Sequence, residues 1–249
     1  MANYLRQIFI FCAGRGERMM PLTANSPKPL LEVGNKKILD HILAKLNHFK
    51  TIDKIIINAY YLSEKIIEHV KSLNNPKIII SLEKDKIETG GGLVYALDKI
   101  DLNQPLLTLN GDVIWQDGDI SDIDYLFGQY NKFNHDFLLG LKKKNEFSGY
   151  DGIGDFALKG QKLIRDFASS NSLELSHVYV GMQIINPQIL TAANINSFGK
   201  SFSISQFYKQ AALTPNHILN RVEGVELKGK YFHIGTPQNL DLARQNYIN

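Results

Sequence analysis

Two glycines one residue apart follow a short apolar run in Phe9-Ile10-Phe11-Cys12-Ala13-Gly14-Arg15-Gly16-Glu17-Arg18. A backbone that curls in this way turns its N–H groups toward an anion. The guanidinium forks of Arg15 and Arg18 match phosphate oxygens. Further on, Pro27-Lys28-Pro29 is expected to hold Lys28 in an extended segment. Backbone donors, two guanidiniums and an ammonium together suit a triphosphate. The same residues also fit an ordinary glycine turn with solvated arginines, the commoner meaning of a bare Gly-x-Gly. A dinucleotide fingerprint would need a third glycine where Met19 stands. The nearest phosphate-loop match, Gly224–Lys230, has Tyr231 in place of Ser/Thr and leads into a strand, so it reads as chance.

Two further clusters carry chemistry. Glu88-Thr89-Gly90-Gly91-Gly92 is read as opening a helix, with Glu83 five residues upstream. Three glycines let the backbone approach a flat ligand, and a helix N-terminus adds donors. A plain helix-opening turn has the same composition. Leu106–Asn110 leads into Gly111-Asp112-Val113. A carboxylate just past the end of a parallel strand lies in the crevice where α/β sheets bind ligands, although an isolated Gly-Asp is more often a turn. No Ser/His/Asp or Cys/His constellation lies near these motifs.

Positioning such residues needs strands ending at a common edge, and the first half of the chain alternates strand and helix patterns. Strands are expected at Gln7–Cys12, Lys54–Ala59, Lys77–Leu82 and Pro105–Leu109. Helices are expected at Lys36–Phe49, Ser63–Leu73, Gly92–Lys99 and Ile123–Tyr130. This alternation argues for parallel βαβ units. Beyond Asp136 strands predominate, at Phe137–Lys142, Asp155–Leu158, Lys162–Phe167, His177–Asn186, Ile218–Val225 and Tyr231–Ile234. Helices are expected at Ser203–Leu213 and Pro237–Tyr247. Gly149–Gly154 is a candidate flap.

The bulk composition excludes several classes. With 28 basic and 25 acidic residues in 249, the net charge of +3 is too mild for a nucleic-acid partner, and the run Lys142–Lys144 reads as a solvated strand end. Hydrophobic content of 44% and charged content of 21% fit one globular α/β domain. The single cysteine, Cys12, excludes an intrachain disulfide and reads as a buried strand-end residue in a reducing compartment. No apolar run approaches a membrane span. A soluble, cytoplasmic protein with no nucleic-acid or membrane partner is expected, as a monomer or homodimer.

The longer pattern Ala13-Gly14-Arg15-Gly16-Glu17-Arg18-Met19-Met20-Pro21-Leu22-Thr23, followed by Pro27-Lys28-Pro29-Leu30, resembles the signature loop of the sugar-1-phosphate nucleotidylyltransferases. Matches continue in the family's order. Glu88–Gly92 is similar to the base- and ribose-side segment, Gly111-Asp112 to the metal-binding turn, and Gly154-Asp155-Phe156 and Val180-Gly181-Met182 to sugar-side strands. Tyr231–Pro237 is similar to the closing strand and last helix, so the resemblance spans residues 8 to 242. It implies an α/β Rossmann-like nucleotidyltransferase fold with a mixed, mainly parallel central sheet flanked by helices. It also implies one domain over 1–249, with a nucleotide-binding half at 1–135 and a sugar-binding half at 136–249.

The resemblance further implies Arg18, Lys28 and Asp112 as catalytic residues. Ala13, Gly14, Arg15, Gly16, Glu17, Glu83, Glu88, Thr89, Gly90 and Gly91 would bind the nucleotide, and Asn110, Gly154, Asp155 and Gly181 the sugar. The implied cofactor is Mg²⁺, with Mn²⁺ as the alternative, held by Asp112 and the residue at position 233. There the family carries an aspartate and this chain has His233, a ligand better suited to zinc, nickel or copper than to magnesium. That departure leaves open a metal held by Asp112 and phosphates alone, a preference for Mn²⁺, a substitute such as Asp117 or Asp119, or weak catalysis.

Within the family, Glu88–Gly92 and a chain near 250 residues without hexapeptide repeats resemble the N-acetylmuramate 1-phosphate uridylyltransferases of cell-wall recycling. Phe167–Ser170 occupies the place of the Glu-Lys-Pro found in many relatives. The implied reaction takes a sugar 1-phosphate and UTP to a nucleotide sugar and pyrophosphate. Heptose- or mannose-1-phosphate guanylyltransferases, and a catalytically weak nucleotide-sugar-binding protein, are the alternatives.

Overall fold

The structure is a computed structural model that describes residues 4–132, 135–160, 162–164, 175–191, 197–213 and 222–247. In chain order the strands are β1 (Gln7–Phe11), β2 (Glu32–Val33), β3 (Lys36–Lys37), β4 (Lys54–Ala59), β5 (Ile78–Leu82), β6 (Leu106–Asn110) and β7 (Val113–Gln116). They continue with β8 (Phe137–Lys143), β9 (Phe147–Ser148), β10 (Ala157–Lys159), β11 (Lys162–Ile164), β12 (His177–Ile185), β13 (Val222–Glu226) and β14 (Lys230–His233). The helices are α1 (Ile38–Leu46), α2 (Ser63–Ser72), α3 (Glu88–Tyr95), α4 (Asp122–Tyr130), α5 (Ser205–Leu213) and α6 (Pro237–Asn246).

The apolar run of β1 is explained by its place. It pairs in parallel with β4 on one side and β6 on the other, and Ile8, Phe9 and Ile10 are fully buried. The central sheet has nine strands in the order β10-β11-β13-β8-β12-β6-β1-β4-β5. Only β11 and β12 run against the others, so the sheet is mixed and mainly parallel. Helices cover both faces. Ile38, Ile42 and Leu46 of α1, Ile66 of α2, Leu126 of α4 and Leu240 of α6 pack into one core. Leu93 of α3 and Phe207 and Tyr208 of α5 pack into the other. Among the described residues no helix is long and apolar enough to cross a membrane.

Several local expectations change. The predicted helix at Gly92–Lys99 begins a turn earlier, at Glu88, because the Phe202 carbonyl accepts the N–H groups of Gly90 and Gly91 and braces the first turn. Lys36-Lys37 pairs with Glu32-Val33 instead of starting the helix. Lys28 is not extended: it opens a 3-10 turn, closed by bonds from Leu30 N to the Pro27 carbonyl and from Leu31 N to that of Lys28. Lys142 is buried, donating to the Leu227 carbonyl and pairing with Glu146 at 3.0 Å. Strand parity turns it inward, and these partners satisfy its charge. β7, which the sequence reading missed, joins β14 and β9 in a second small sheet. Parts of the predicted Lys162–Phe167 and Ile218–Val225 strands, and the Phe167–Ser170 segment, lie outside the described residues.

Candidate active site

The C-terminal ends of β1, β4, β5 and β6 deliver Phe11, Asn58, Leu82 and Asn110 to one edge of the sheet. The loop after β1 is pinned there by its own chemistry. Met19 is fully buried, its N–H bonds to the Gly16 carbonyl at 2.8 Å, and the buried Thr23 hydroxyl donates to the same carbonyl at 2.8 Å. Gly16 takes the left-handed conformation at φ 64°, which a residue with a side chain adopts only under strain.

Two adjoining cavities open over this edge. One, of about 180 Å³, is lined by Gly14, Lys28, Thr89, Asn110, Gly111 and Asp112, with Phe11, Cys12 and Pro29. The other, of about 120 Å³, is lined by Ala13, Arg15, Glu83, Glu88 and Thr89, with Asn58, Lys86 and Ile87; Phe11, Gly14 and Thr89 border both. The first loop and the start of α3 therefore border both cavities, and the end of β6 borders the larger.

At its mouth the charges converge. Lys28 Nζ lies 2.9 Å from Asp112 Oδ2, and His233 Nε2 lies 3.8 Å from the same oxygen. Gly235 makes room for the neighbours: a carbon added there would lie 2.7 Å from His233 Cε1 and 3.3 Å from Arg18 Nη2. Burial raises the Asp112 pKa, but the positive charges of Lys28, His233 and Arg18 outweigh it and hold the carboxyl below its ordinary value. Burial and the Asp112 charge push the Cys12 thiol far up, which makes it an inert strand-end residue.

A second buried carboxyl lies deeper. Glu83 is 5% exposed, and desolvation lifts its pKa to about 7 against the lowering effect of the hydrogen bond from Asn58. Asn58 is the residue that sequence reasoning missed. Its Oδ1 accepts from Cys12 N at 2.7 Å and its Nδ2 donates to Glu83 Oε1 at 2.7 Å. The available signal was a buried amide within the otherwise apolar run Ile55-Ile56-Ile57-Asn58-Ala59.

On the segments expected to face the sugar, Gly181 takes φ 79° where the β12–β8 register shifts, and a carbon added to it would lie 2.8 Å from Asn110 Cβ. Asn110 and Gly181 are thus in contact. Gly154 N donates to the Tyr150 hydroxyl, and Asp155 Oδ2 accepts from Tyr179 N at 3.0 Å; neither residue lines the two cavities. The 149–154 loop is tied at both ends, by Asn239 Nδ2 donating to the Gly149 carbonyl and by that Tyr150 bond, while Ile153 is 81% exposed.

Other expected residues lie apart. Gly90 and Gly91 pack against the 200–202 segment and line neither cavity. The Glu17 side chain is exposed, 4.0 Å from Arg15, whose guanidinium lies over the Tyr61 ring. Asp117 is no substitute metal ligand, because Lys45, the Trp115 indole N–H and the Asp122 N–H already occupy its oxygens. Asp119 is exposed beyond the far end of β7. The Gly224–Lys230 segment is structural: Asp122 accepts from Lys228 N, Gly229 N and the Tyr231 hydroxyl.

An ammonium and a carboxylate lining one cavity, beside a second narrow recess, are chemically suited to a polyanion that carries a flat group. The profile of the nucleotidyl transferase family matches residues 8–167. N-acetylmuramate alpha-1-phosphate uridylyltransferase of Caulobacter vibrioides is 31% identical over 234 residues, covering 92% of this chain and 91% of that protein. The bifunctional protein GlmU of Methanococcus maripaludis is 29% identical over 245 residues, and the match covers 96% of this chain but 54% of that longer protein. The UTP-bound UGPase of Acinetobacter baumannii superposes with a TM-score of 0.72 at 15% identity, over 98% of this chain and 93% of that one, which speaks for the fold. On the family match, the cavity-lining loop after β1 and the near full-length likeness to a uridylyltransferase, this chain belongs to the nucleotidyl transferase family, whose sugar-1-phosphate members make nucleotide sugars.

Proposed function

We propose that this chain is an N-acetylmuramate 1-phosphate uridylyltransferase, acting in the cytoplasm in the recovery of cell-wall sugar. The observation that supports the reading is the Lys28–Asp112 pair in the lining of the cavity beside the first loop, with the Arg18 charge near enough to help lower the Asp112 pKa. The likeness to the Caulobacter uridylyltransferase over nearly the full length of both chains supports the choice of base and sugar.

In the proposed reaction an oxygen of the sugar 1-phosphate attacks the α-phosphorus of UTP in line. A new P–O bond forms as the bond to the β-phosphate bridging oxygen breaks, and pyrophosphate leaves with that electron pair. The attacking phosphate has a second pKa near ~6 and needs no general base at neutral pH. Catalysis is then positioning and charge stabilisation. Arg18 and Lys28 neutralise charge on the phosphates, Gly14 and Gly16 offer backbone donors, Glu83 and Thr89 face the base and ribose, and Asn110 beside Gly181 faces the sugar.

Among the described residues no group of three or more His, Cys, Asp or Glu side chains gathers at one point. Asp112 and His233 nonetheless share one locus; one carboxylate completed by phosphate oxygens is a set that takes Mg²⁺, and the imidazole is the member of the set that fits Mg²⁺ least. These residues would hold Mg²⁺, or Mn²⁺, which when bound supplies further charge neutralisation. Incubation with UTP or GTP, either metal and a panel of sugar 1-phosphates tests the reading by pyrophosphate release. Release with UTP and N-acetylmuramate 1-phosphate above all other pairs is expected. Release only with GTP, or tight UTP binding without release, would overturn it.

A further inference from the structure

Tyr61, in the turn between β4 and α2, holds the loop after β1 at two places. Its hydroxyl donates to the Thr23 carbonyl at 3.0 Å, with that of Ala24 at 3.4 Å. Its ring lies beneath the Arg15 guanidinium, whose Cζ is 5.8 Å from the ring centroid. Lys65, one turn into α2, adds a third hold by donating to the Asn25 carbonyl. The turn that presents Tyr61 is strained, because Leu62 takes the left-handed conformation at φ 47°, which persists only where surrounding contacts fix it. From this geometry we infer that Tyr61 is a positioning residue of the triphosphate site, its ring holding Arg15 and its hydroxyl setting the turn against which Lys28 lies. The inference rests on the proposed function and adds to it a residue that lines neither cavity.

The path from the hydroxyl to Lys28 is one of direct contacts. Thr23 is fully buried, and its Oγ1 donates to the Gly16 carbonyl at 2.8 Å. A carbon added at Gly16 would lie 3.0 Å from Thr23 Cγ2 and 3.5 Å from both Cβ and Cε of Lys28, so Gly16 is packed between the two. Tyr61 thus fixes the Thr23 backbone, and Thr23 fixes the turn beside the Lys28 stem. The path to Arg15 is shorter still. Arg15 lines the smaller cavity, its side chain is 54% exposed, and Glu17 at 4.0 Å is too distant to hold it in one place. A long solvated guanidinium is ordered by settling on an aromatic face. Ring and hydroxyl therefore serve different groups, and their losses should separate.

Pyrophosphate release and equilibrium UTP binding by the full chain test this in wild type, Tyr61→Phe, Tyr61→Leu and Arg15→Ala, and in Arg15→Ala combined with each Tyr61 change. Tyr61→Phe keeps the ring and loses the hydroxyl, and should lower kcat about tenfold while leaving KM for UTP unchanged. Tyr61→Leu loses both, and should in addition raise KM and Kd for UTP about fivefold. KM for the sugar 1-phosphate should not move in either. Once Arg15 is alanine, the two Tyr61 changes should bind UTP alike. Circular dichroism and thermal melting show which variants are folded, and if Tyr61→Leu is not, the Tyr61→Phe result decides alone. The inference is overturned if Tyr61→Phe turns over like wild type, if Tyr61→Leu binds UTP as tightly as Tyr61→Phe, or if loss of the ring costs as much without Arg15 as with it. A folded wild type that binds no nucleoside triphosphate would instead overturn the proposed function, and the role of Tyr61 with it.

Discussion

Lys28 Nζ and Asp112 Oδ2 lie 2.9 Å apart, joining the loop after β1 to the turn after β6 across 84 residues of chain. Each is the other's counter-charge, and on the proposed function Lys28 would exchange Asp112 for substrate oxygens when the site fills. A pair that must part on binding has its main value in the loaded state. Lys28→Ala and Arg18→Ala should each lower kcat by about 10²–10³, as loss of one charge-stabilising donor does elsewhere. Pyrophosphate release at saturating substrates measures the loss, and an unchanged circular dichroism spectrum shows the fold intact. Near-normal turnover in either variant would remove that residue from the mechanism.

Stability should carry the signature of Glu83. A buried carboxyl whose folded pKa rises to about 7 keeps its full stabilising contribution only below the unfolded value near 4.5. That contribution is lost progressively as pH climbs toward the folded value, and changes no further above it. Glu83→Gln has no such loss. Its urea midpoint should match wild type near pH 4.5, pull ahead up to about pH 7, and keep a constant lead beyond. A lead that is the same at pH 4.5 and pH 8 would contradict the raised pKa.

The contact between Gly181 and Asn110 gives a test on the sugar side. Alanine at Gly181 must adopt φ 79° and place a carbon 2.8 Å from Asn110 Cβ. The strain should cost about 1–3 kcal/mol of folding free energy. Relief by moving Asn110 should raise KM for the sugar 1-phosphate more than KM for UTP. Equal effects on both substrates would place the contact outside the sugar site.

Much of this was legible before any coordinates. The strand at Lys54–Ala59 matches to the residue and α2 to within one, because apolar period and bounding polar residues agree there. The expectation for the first loop rests on residue type, since glycine, arginine and lysine suit phosphate whatever the loop's detailed path. Its path was not legible: Lys28 takes a 3-10 turn whose closing bonds come from residues flanking it. Of the α3 glycines, read as a ligand approach, Gly90 admits Phe202 and Gly91 the Lys200 carbonyl, partners more than a hundred residues away, while Gly92 faces Glu83. Asn58 was missed for the same reason: its role exists only once Cys12 and Glu83 are brought to either side of it. Sequence period reports burial, whereas these roles depend on long-range pairing.

Asp122 separates architecture from chemistry. Fully buried, it accepts from Lys228 N, Gly229 N and the Tyr231 hydroxyl and so ties α4 to the turn before β14. Asp122→Ala leaves two buried donors and one part-buried donor unpaired and should destabilise the fold by about 2–4 kcal/mol. Urea denaturation measures this. The activity that remains in the folded fraction should have a normal KM for both substrates, since Asp122 lines neither cavity. A selective change in KM would give Asp122 a role in the site that its contacts do not show.

On the proposed function, His233 should set the metal preference. It faces Asp112 at 3.8 Å from β14, and β7 carries Asp117 away to partners of its own, so the nitrogen ligand has no nearby carboxylate substitute. An imidazole with one carboxylate is a softer set than two carboxylates, and binds Mn²⁺ more readily than Mg²⁺, which prefers oxygen. Wild type should therefore reach half-maximal pyrophosphate release at a lower concentration of Mn²⁺ than of Mg²⁺. His233→Asp restores two oxygen donors and should lower the half-saturating Mg²⁺ concentration by about tenfold. Thermal melting with and without each ion should show metal stabilising the variant more than wild type. If both metals act alike on the two proteins, in turnover and in melting, His233 does not face the ion and Asp112 with the phosphates holds it alone.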